Sequence, residues 1–216
     1  MIIRNHILAG DDLTVDLTNR MAPGRIHALT PTQIIVHYDV CETIEQNDRA
    51  QLASGYHYHA AIDGRDRDDK RVAVRQYVPF NRRGSAAKGF NHEAINLVIV
   101  NPGPLIRDSA GRLNTVHVRR WDEDDAEEMR HIHKGTPATW RHWARYSYEE
   151  RDALVAVCEL LVEQYPTIHT ITGHDVTDPG RKFDPGPAFY NSIAVYLMAA
   201  FPALSVRFHP PRDERE

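Results

Sequence analysis

Apolar and polar positions follow two periods along this chain. "TQIIVHY" (32–38) is a β-rich apolar run that ends in a histidine, and it predicts a buried strand. "AINLVIV" (94–100) is a second continuous apolar run, stopped by Asn101-Pro102-Gly103. "YHYHAAID" (56–63) and "RVAVRQYV" (71–78) alternate as half-buried strands do, and the charged stretch "GRDRDDK" between them reads as a turn. "IHTIT" (168–172) and "LSVRF" (204–208) predict two more short strands.

The helical period appears in three places. "ETIEQNDRAQLA" (42–53) and "GPAFYNSIAVYLMAAF" (186–201) read as helices. The clearest is "SYEERDALVAVCELLVEQY" (147–165), where Leu154, Cys158, Leu161 and Val162 share one face and Ser147 with Glu150 forms a capping box. Residues 104–146 show neither period and read as irregular, with the acidic run "DEDDAEE" as a solvated face. Strands and helices mix without strict alternation. The expected fold is therefore α/β, a single mixed sheet flanked by helices. With no internal repeat and no low-complexity linker, residues 1–216 are expected to form one domain.

Composition changes this picture little. With 42% hydrophobic and 26% charged residues, the 216-residue chain can bury an ordinary core. A net charge of −4 with no basic arm argues against a nucleic-acid partner. No apolar run reaches the length of a membrane span, and the start "MIIRNHILAGDDLTVDL" lacks the apolar core of a signal peptide, so a protein made in the cytoplasm is expected, to act there or to be released or delivered by another route. Two cysteines, Cys41 and Cys158, are too few for a disulfide framework and read as reduced thiols. The 13 histidines invite a search for a metal site.

The segment "GHDVTDPGRKFDPGP" (173–187) is where that search leads. Three prolines and three glycines make it a loop, yet it carries a histidine, a lysine and aspartates. His174 and Asp184, together with His37 at the end of the first buried strand, make a nitrogen and oxygen set suited to zinc with an open fourth position. Lys182 would sit beside such a metal and stabilise an oxyanion. Spacing alone leaves the alternative open, that His174 and Asp184 are ordinary loop residues and His37 a buried histidine bonded to backbone.

The same segment resembles the C-terminal signature of the zinc-dependent N-acetylmuramoyl-L-alanine amidases, whose fold is shared by the peptidoglycan recognition proteins and the phage amidase lysozymes. The resemblance continues through "NHILAGDD", "IIVHYD", "GYHYHAAIDGRD", "GSAAKGFNHEAINLVIVNPG" and "YSYEERDALVAVCELLVEQYP". It implies His37, His174 and Asp184 as zinc ligands and Lys182 as the catalytic lysine. It implies hydrolysis of the amide between the lactyl group of N-acetylmuramic acid and the stem L-alanine, in peptidoglycan or muropeptides.

Two positions depart from the family. The strand that carries a glutamate in many members reads "AINLVIV" here, with Val98 in its place, and Ala86 replaces a histidine that would face the substrate cleft. The phage-lysozyme branch also lacks the glutamate and has a tyrosine in that region. Tyr56 in "GYHY" matches it and is expected to hold the water or the oxyanion. His92 could stand in for the missing histidine, though it reads more readily as a turn residue, and Arg181 could contact a peptide carboxylate or brace its own loop. The pairs His57/His59 and His131/His133 each share a strand face and read as packing or solvated residues. The departures leave a second function in view, a peptidoglycan-binding module of the same fold with weak or lost catalysis. A third is a hydrolase or toxin of this fold with a shifted amide substrate.

Overall fold

The computed structural model describes residues 1–12, 14–22, 27–64, 71–117, 119–129 and 140–210. The "GRDRDDK" turn beyond Gly64 and the pair His131/His133 fall outside them. Seven strands form the central sheet: β3 (Val15–Asn19), β4 (Gln33–Tyr38), β5 (Ala60–Asp63), β6 (Val72–Gln76), β7 (Ala94–Ile99), β12 (Thr170–Gly173) and β13 (Ser205–Arg207). Their order is β13-β12-β4-β7-β5-β6-β3. The pairs from β13 through β5 are parallel, β5 and β6 are antiparallel, and β6 and β3 are parallel. This is the mixed sheet that the pattern predicts.

Both faces of the sheet are covered, which is why β4 and β7 are buried at every position and mostly apolar. On one face Ile34, Val36, Ile62, Ile95, Leu97, Ile99 and Ile171 pack with α2 (Tyr148–Gln164) and with the segment 187–200 in one core. The face of α2 turned inward carries Leu154, Cys158 and Leu161, all fully buried. Its start is fixed by the capping box: Glu150 N donates to Ser147 Oγ (3.1 Å) and Ser147 N donates to Glu150 Oε2 (2.8 Å).

The opposite face carries Ile35, His37, Asn96, Val98 and Ala61, and α1 (Ile44–Ser54) lies against it. Beyond Ile44, the buried positions of α1 are polar: Asn47, Asp48 and Gln51. Hydrogen bonds hold them. Asp48 accepts from Arg20 (2.6 Å), from Tyr77 Oη (2.6 Å) and from Arg75, while Asn47 donates to Asp39 (2.5 Å) and Gln51 donates to Asn47 (2.5 Å). A helix docked this way fixes the angle of what it touches, because each partner must be met in direction as well as distance.

Several regions depart from the pattern, β3 among them, since no strand is expected over residues 15–19. Residues 104–146 are not irregular. They contain a four-stranded sheet of β8 (Pro104–Arg107), β9 (Leu113–Thr115), β10 (Ala126–Glu128) and β11 (His142–Ala144), ordered β10-β11-β8-β9. Strands of three or four residues show too little alternation to be read locally. At the N-terminus, β1 (Ile2–Arg4) and β2 (Ile7–Ala9) form a small antiparallel pair for the same reason. The last helix is broken into Pro187–Phe189, a π-type stretch Tyr190–Ala194 and Val195–Ala200. No helix among the described residues is long and apolar enough to cross a membrane.

The Asp48 network gives a test of how α1 is held. Asp48→Ala leaves the half-enclosed Arg75 with only the exposed Glu45 and the Tyr77 hydroxyl without its acceptor, and it should cost about 1–3 kcal/mol. Arg20→Ala removes an exposed partner of the same carboxylate and should cost about 1 kcal/mol or less. Chemical denaturation of both variants checks the order, and equal losses would show that Asp48 does not organise the helix.

Candidate metal centre

The three predicted ligands come from two adjacent strands and the loop after them. His37 is the fifth residue of β4, and its neighbour across the pair is Val98 of β7. β12 runs parallel beside β4 and ends at Gly173, so His174 starts the next segment at the same end of the sheet. That segment is partly helical, with one turn at His174–Thr177, where a loop was expected. Asp184 returns ten residues later. Its carbonyl accepts from Asp175 N (2.7 Å), Tyr146 Oη donates to the carbonyl of Pro185 (2.7 Å), and Arg181 N and Lys182 N both donate to Asp178 O. Gly186 closes the turn at φ +80°, and a Cβ there would lie 2.8 Å from the buried Trp143 ring. No other residue fits both conditions.

The result is a tight, dry convergence. His37 Nδ1 lies 2.8 Å and His174 Nδ1 3.0 Å from the same Asp184 oxygen, Oδ2. All three side chains are buried, and the two imidazole rings meet edge to face at 4.4 Å. Among the described residues this is the group of histidine, cysteine and carboxylate side chains able to hold a metal. Burial, then the neighbouring His37, pushes His174 down to about 4, with the Asp184 hydrogen bond opposing and the Lys182 charge adding to the fall. Burial alone would raise Asp184, but the two imidazoles in contact with it, His174 and His37, outweigh it and hold the carboxyl below its usual range. A neutral imidazole and an ionised carboxylate near neutral pH are the forms in which these groups ligate a metal.

The donor chemistry fits a cation. His37 Nε2 faces the Oδ1 of Asn96 at 3.0 Å, and an amide oxygen only accepts, so Nε2 carries the hydrogen. In the neutral ring Nδ1 then presents a lone pair to a carboxylate lone pair. That contact is repulsive unless a proton or a metal ion lies between them.

The remaining predicted residues are placed unevenly. Lys182 is half-buried, near enough for its charge to act on His174. Arg181 is exposed and donates to Asp178 (2.7 Å), which is the loop-bracing alternative. His92 is exposed and lines a cavity of about 420 Å³ with His27, Arg83, Gly84, Ser85, Gly89 and Asn91, and no member of the ligand trio lines it. Tyr56 requires a correction. It is 60% exposed and lies before β5 begins, whereas the ring of Tyr58 stands 5.1 Å from that of His37. Burial, then the charges of Asp184 and Asp39, raise the Tyr58 phenol well above its ordinary value, so it stays a donor. The segment holds two Tyr-His pairs two residues apart, and the one nearer the strand reaches the site.

Val98 is fully buried in a cluster with Cys41, Ile44, Ala61 and Val100, so a carboxylate at this position would be a charge buried among apolar groups. Two residues were not singled out from the sequence. Asn96 looked like one more position in an apolar strand. His59 reads from the sequence as a packing or solvated residue, and it is fully buried with both ring nitrogens bonded, Nδ1 accepting from Asn96 N (2.9 Å) and Nε2 donating to Arg82 O (2.8 Å).

Comparison with known proteins bears on the family and the fold. The chain is 49% identical over 45 residues to the 1,6-anhydro-N-acetylmuramyl-L-alanine amidase AmpD of Enterobacter cloacae, a stretch of 20% of this chain and 24% of that protein. Its fold is similar to AmpDh3 of Pseudomonas aeruginosa (TM-score 0.57, 16% identity, covering 85% of this chain and 64% of that one). It is also similar to AmiD of E. coli, solved with anhydro-N-acetylmuramic acid-L-Ala-D-gamma-Glu-L-Lys (TM-score 0.55, 15% identity, 85% and 62%). The chain therefore spans about a quarter of the curated relative in the matched stretch and under two thirds of these two structures. Residues 27–187 match the N-acetylmuramoyl-L-alanine amidase family, which takes in β4, α1, the whole ligand trio and Lys182, and the chain belongs to that family.

Proposed function

We propose that this chain is a zinc-dependent hydrolase of the amide between N-acetylmuramic acid and L-alanine in peptidoglycan or muropeptides. One observation carries the reading: two buried imidazole nitrogens within 3.0 Å of a single ionised carboxylate oxygen. His37, His174 and Asp184 would hold the metal. Zinc bound there would lower the pKa of a water to about 7 and polarise the scissile carbonyl. Lys182 supplies a positive charge beside the centre for the oxyanion of the tetrahedral intermediate. Tyr58, whose ring stands 5.1 Å from that of His37, supplies a phenolic hydrogen to orient the water or share the oxyanion. With Val98 apolar, neither task falls to a carboxylate from β7. Residues 1–216 are read as one domain, because the central sheet takes strands from Val15 to Arg207. The two buried free cysteines favour a reducing compartment such as the cytoplasm.

Val98 and Ala86 favour a second reading, a muropeptide-binding module without efficient hydrolysis. Digestion of muropeptide by the purified chain, with and without a chelator, separates the two. Chelator-sensitive release of the free peptide supports the enzyme, and muropeptide binding without release supports the module.

The ligand assignment predicts that His37→Ala, His174→Ala and Asp184→Ala each lose stoichiometric zinc, read by metal analysis after gel filtration. Full zinc in any of them removes that residue from the set. Lys182→Ala should keep its zinc and lose about 10²-fold in turnover; unchanged turnover would leave Lys182 a loop residue. The tyrosine correction makes a paired prediction. Tyr58→Phe should reduce turnover by about 10²-fold, the scale of a positioned proton-transfer or hydrogen-bonding group. Tyr56→Phe should leave it unchanged, and the reverse pattern would restore the assignment made from sequence.

A further inference from the structure

β7 carries one polar side chain in its middle. Asn96 is fully buried between Ile95 and Leu97, where an amide is costly unless it is bonded. Its Nδ2 turns to Ala94 O (3.4 Å) and its Oδ1 to His37 Nε2 (3.0 Å). The main chain of Asn96 is held from both sides by His59: its carbonyl accepts from His59 N (2.8 Å) and its N–H donates to His59 Nδ1 (2.9 Å). His59 is in turn tied through Nε2 to Arg82 O. The second imidazole of the centre has no such support, since His174 Nε2 has no hydrogen-bond partner among the described residues.

We propose that Asn96 is a positioning residue for the metal, acting through His37. Its amide oxygen places the His37 hydrogen on Nε2, which makes Nδ1 the ligating atom, and it locks the ring at the angle where Nδ1 meets Asp184 and His174. A histidine ligand usually gives its other ring N–H to an acceptor, and loss of such an acceptor typically costs about 10–100-fold in metal affinity. Here the acceptor is neutral, so it fixes the ring without adding a charge to a buried site. The proposal rests on the zinc reading above.

The test uses the full chain and zinc alone, with affinity measured by competition against a chromophoric chelator. Asn96→Leu keeps the volume and removes the acceptor, and it should weaken zinc binding by about 10–100-fold. Asn96→Asp keeps an acceptor oxygen at the same place and should bind zinc as well as the wild type or better. A purely structural role would instead lower the melting temperature of both metal-free variants with no difference between their affinities. The histidine ring nitrogens of the wild type, followed by ¹⁵N NMR, give a readout that needs no variant to fold. His37 should carry its hydrogen on Nε2 in the zinc-loaded chain. A hydrogen on Nδ1, or an Asn96→Leu variant that binds zinc like the wild type, overturns the proposal and leaves the metal site standing. A wild-type chain that binds no zinc overturns the metal reading, and this proposal with it.

Discussion

A carboxylate oxygen that faces two imidazole nitrogens in a dry pocket is a constraint the rest of the chain must meet. Each group alone would be better off in water, and burial works against the charged form of each. They converge because strand and loop bring both Nδ1 atoms within 3.0 Å of Asp184 Oδ2, and because a cation among them would turn three unfavourable burials into one coordinated centre. The strand pairing makes the meeting possible. β12 and β4 run parallel in a register that sets Gly173 beside Val36, so the chain leaving β12 emerges next to His37. An antiparallel neighbour would have turned away from that end of the sheet.

The supports around this point are polar on one side and apolar on the other. On the α2 side the sheet rests on packed aliphatic residues, which hold it by volume and tolerate small shifts. On the site side the contacts are directional: Asn96 to His37, Asn47 to Asp39, and Asp48 to two arginines and a tyrosine. The polar inner face of α1 follows from this division. A helix seated on leucines would leave Asp39 without the Asn47 amide and Tyr58 N without the oxygen of Gln51, which accepts its hydrogen at 2.9 Å.

The sequence was legible where chemistry is concentrated in one segment. "PGRKFDPGP" gave away its loop because proline and glycine act locally, and the ligand pair His174 and Asp184 lies within reach of that one reading. β4, β7 and α2 were legible because their apolar periods are long. Tyr58 was not, because Tyr56 and Tyr58 have the same neighbour, and only the start of β5 at Ala60 decides which of them is carried to the site. Asn96 was not, because one amide in an apolar strand has no local signature, and its meaning lies in a histidine 59 residues earlier. The small sheet of residues 104–146 is a further case: its strands are only three or four residues long, and β11 pairs with β8 much earlier in the chain, His142 opposite Leu105.

Asn96 and Val98 also bear on each other. They are two residues apart on β7, so they share the face on which His37 lies. In the family pattern that resembles this chain, the polar residue of the strand is a glutamate at the position of Val98. Here that position is apolar and fully enclosed, and the strand's polar group stands one pleat earlier, at Asn96, opposite Ile35. The shift moves the strand's contribution from one side of the ligand to the other. A carboxylate at 98 could have acted on the water directly. An amide at 96 can only act on the ligand, by deciding which nitrogen it offers and how firmly. On the proposed reading β7 serves to hold the ligand His37, and the roles toward the water and the oxyanion fall to groups outside the sheet, Tyr58 and Lys182.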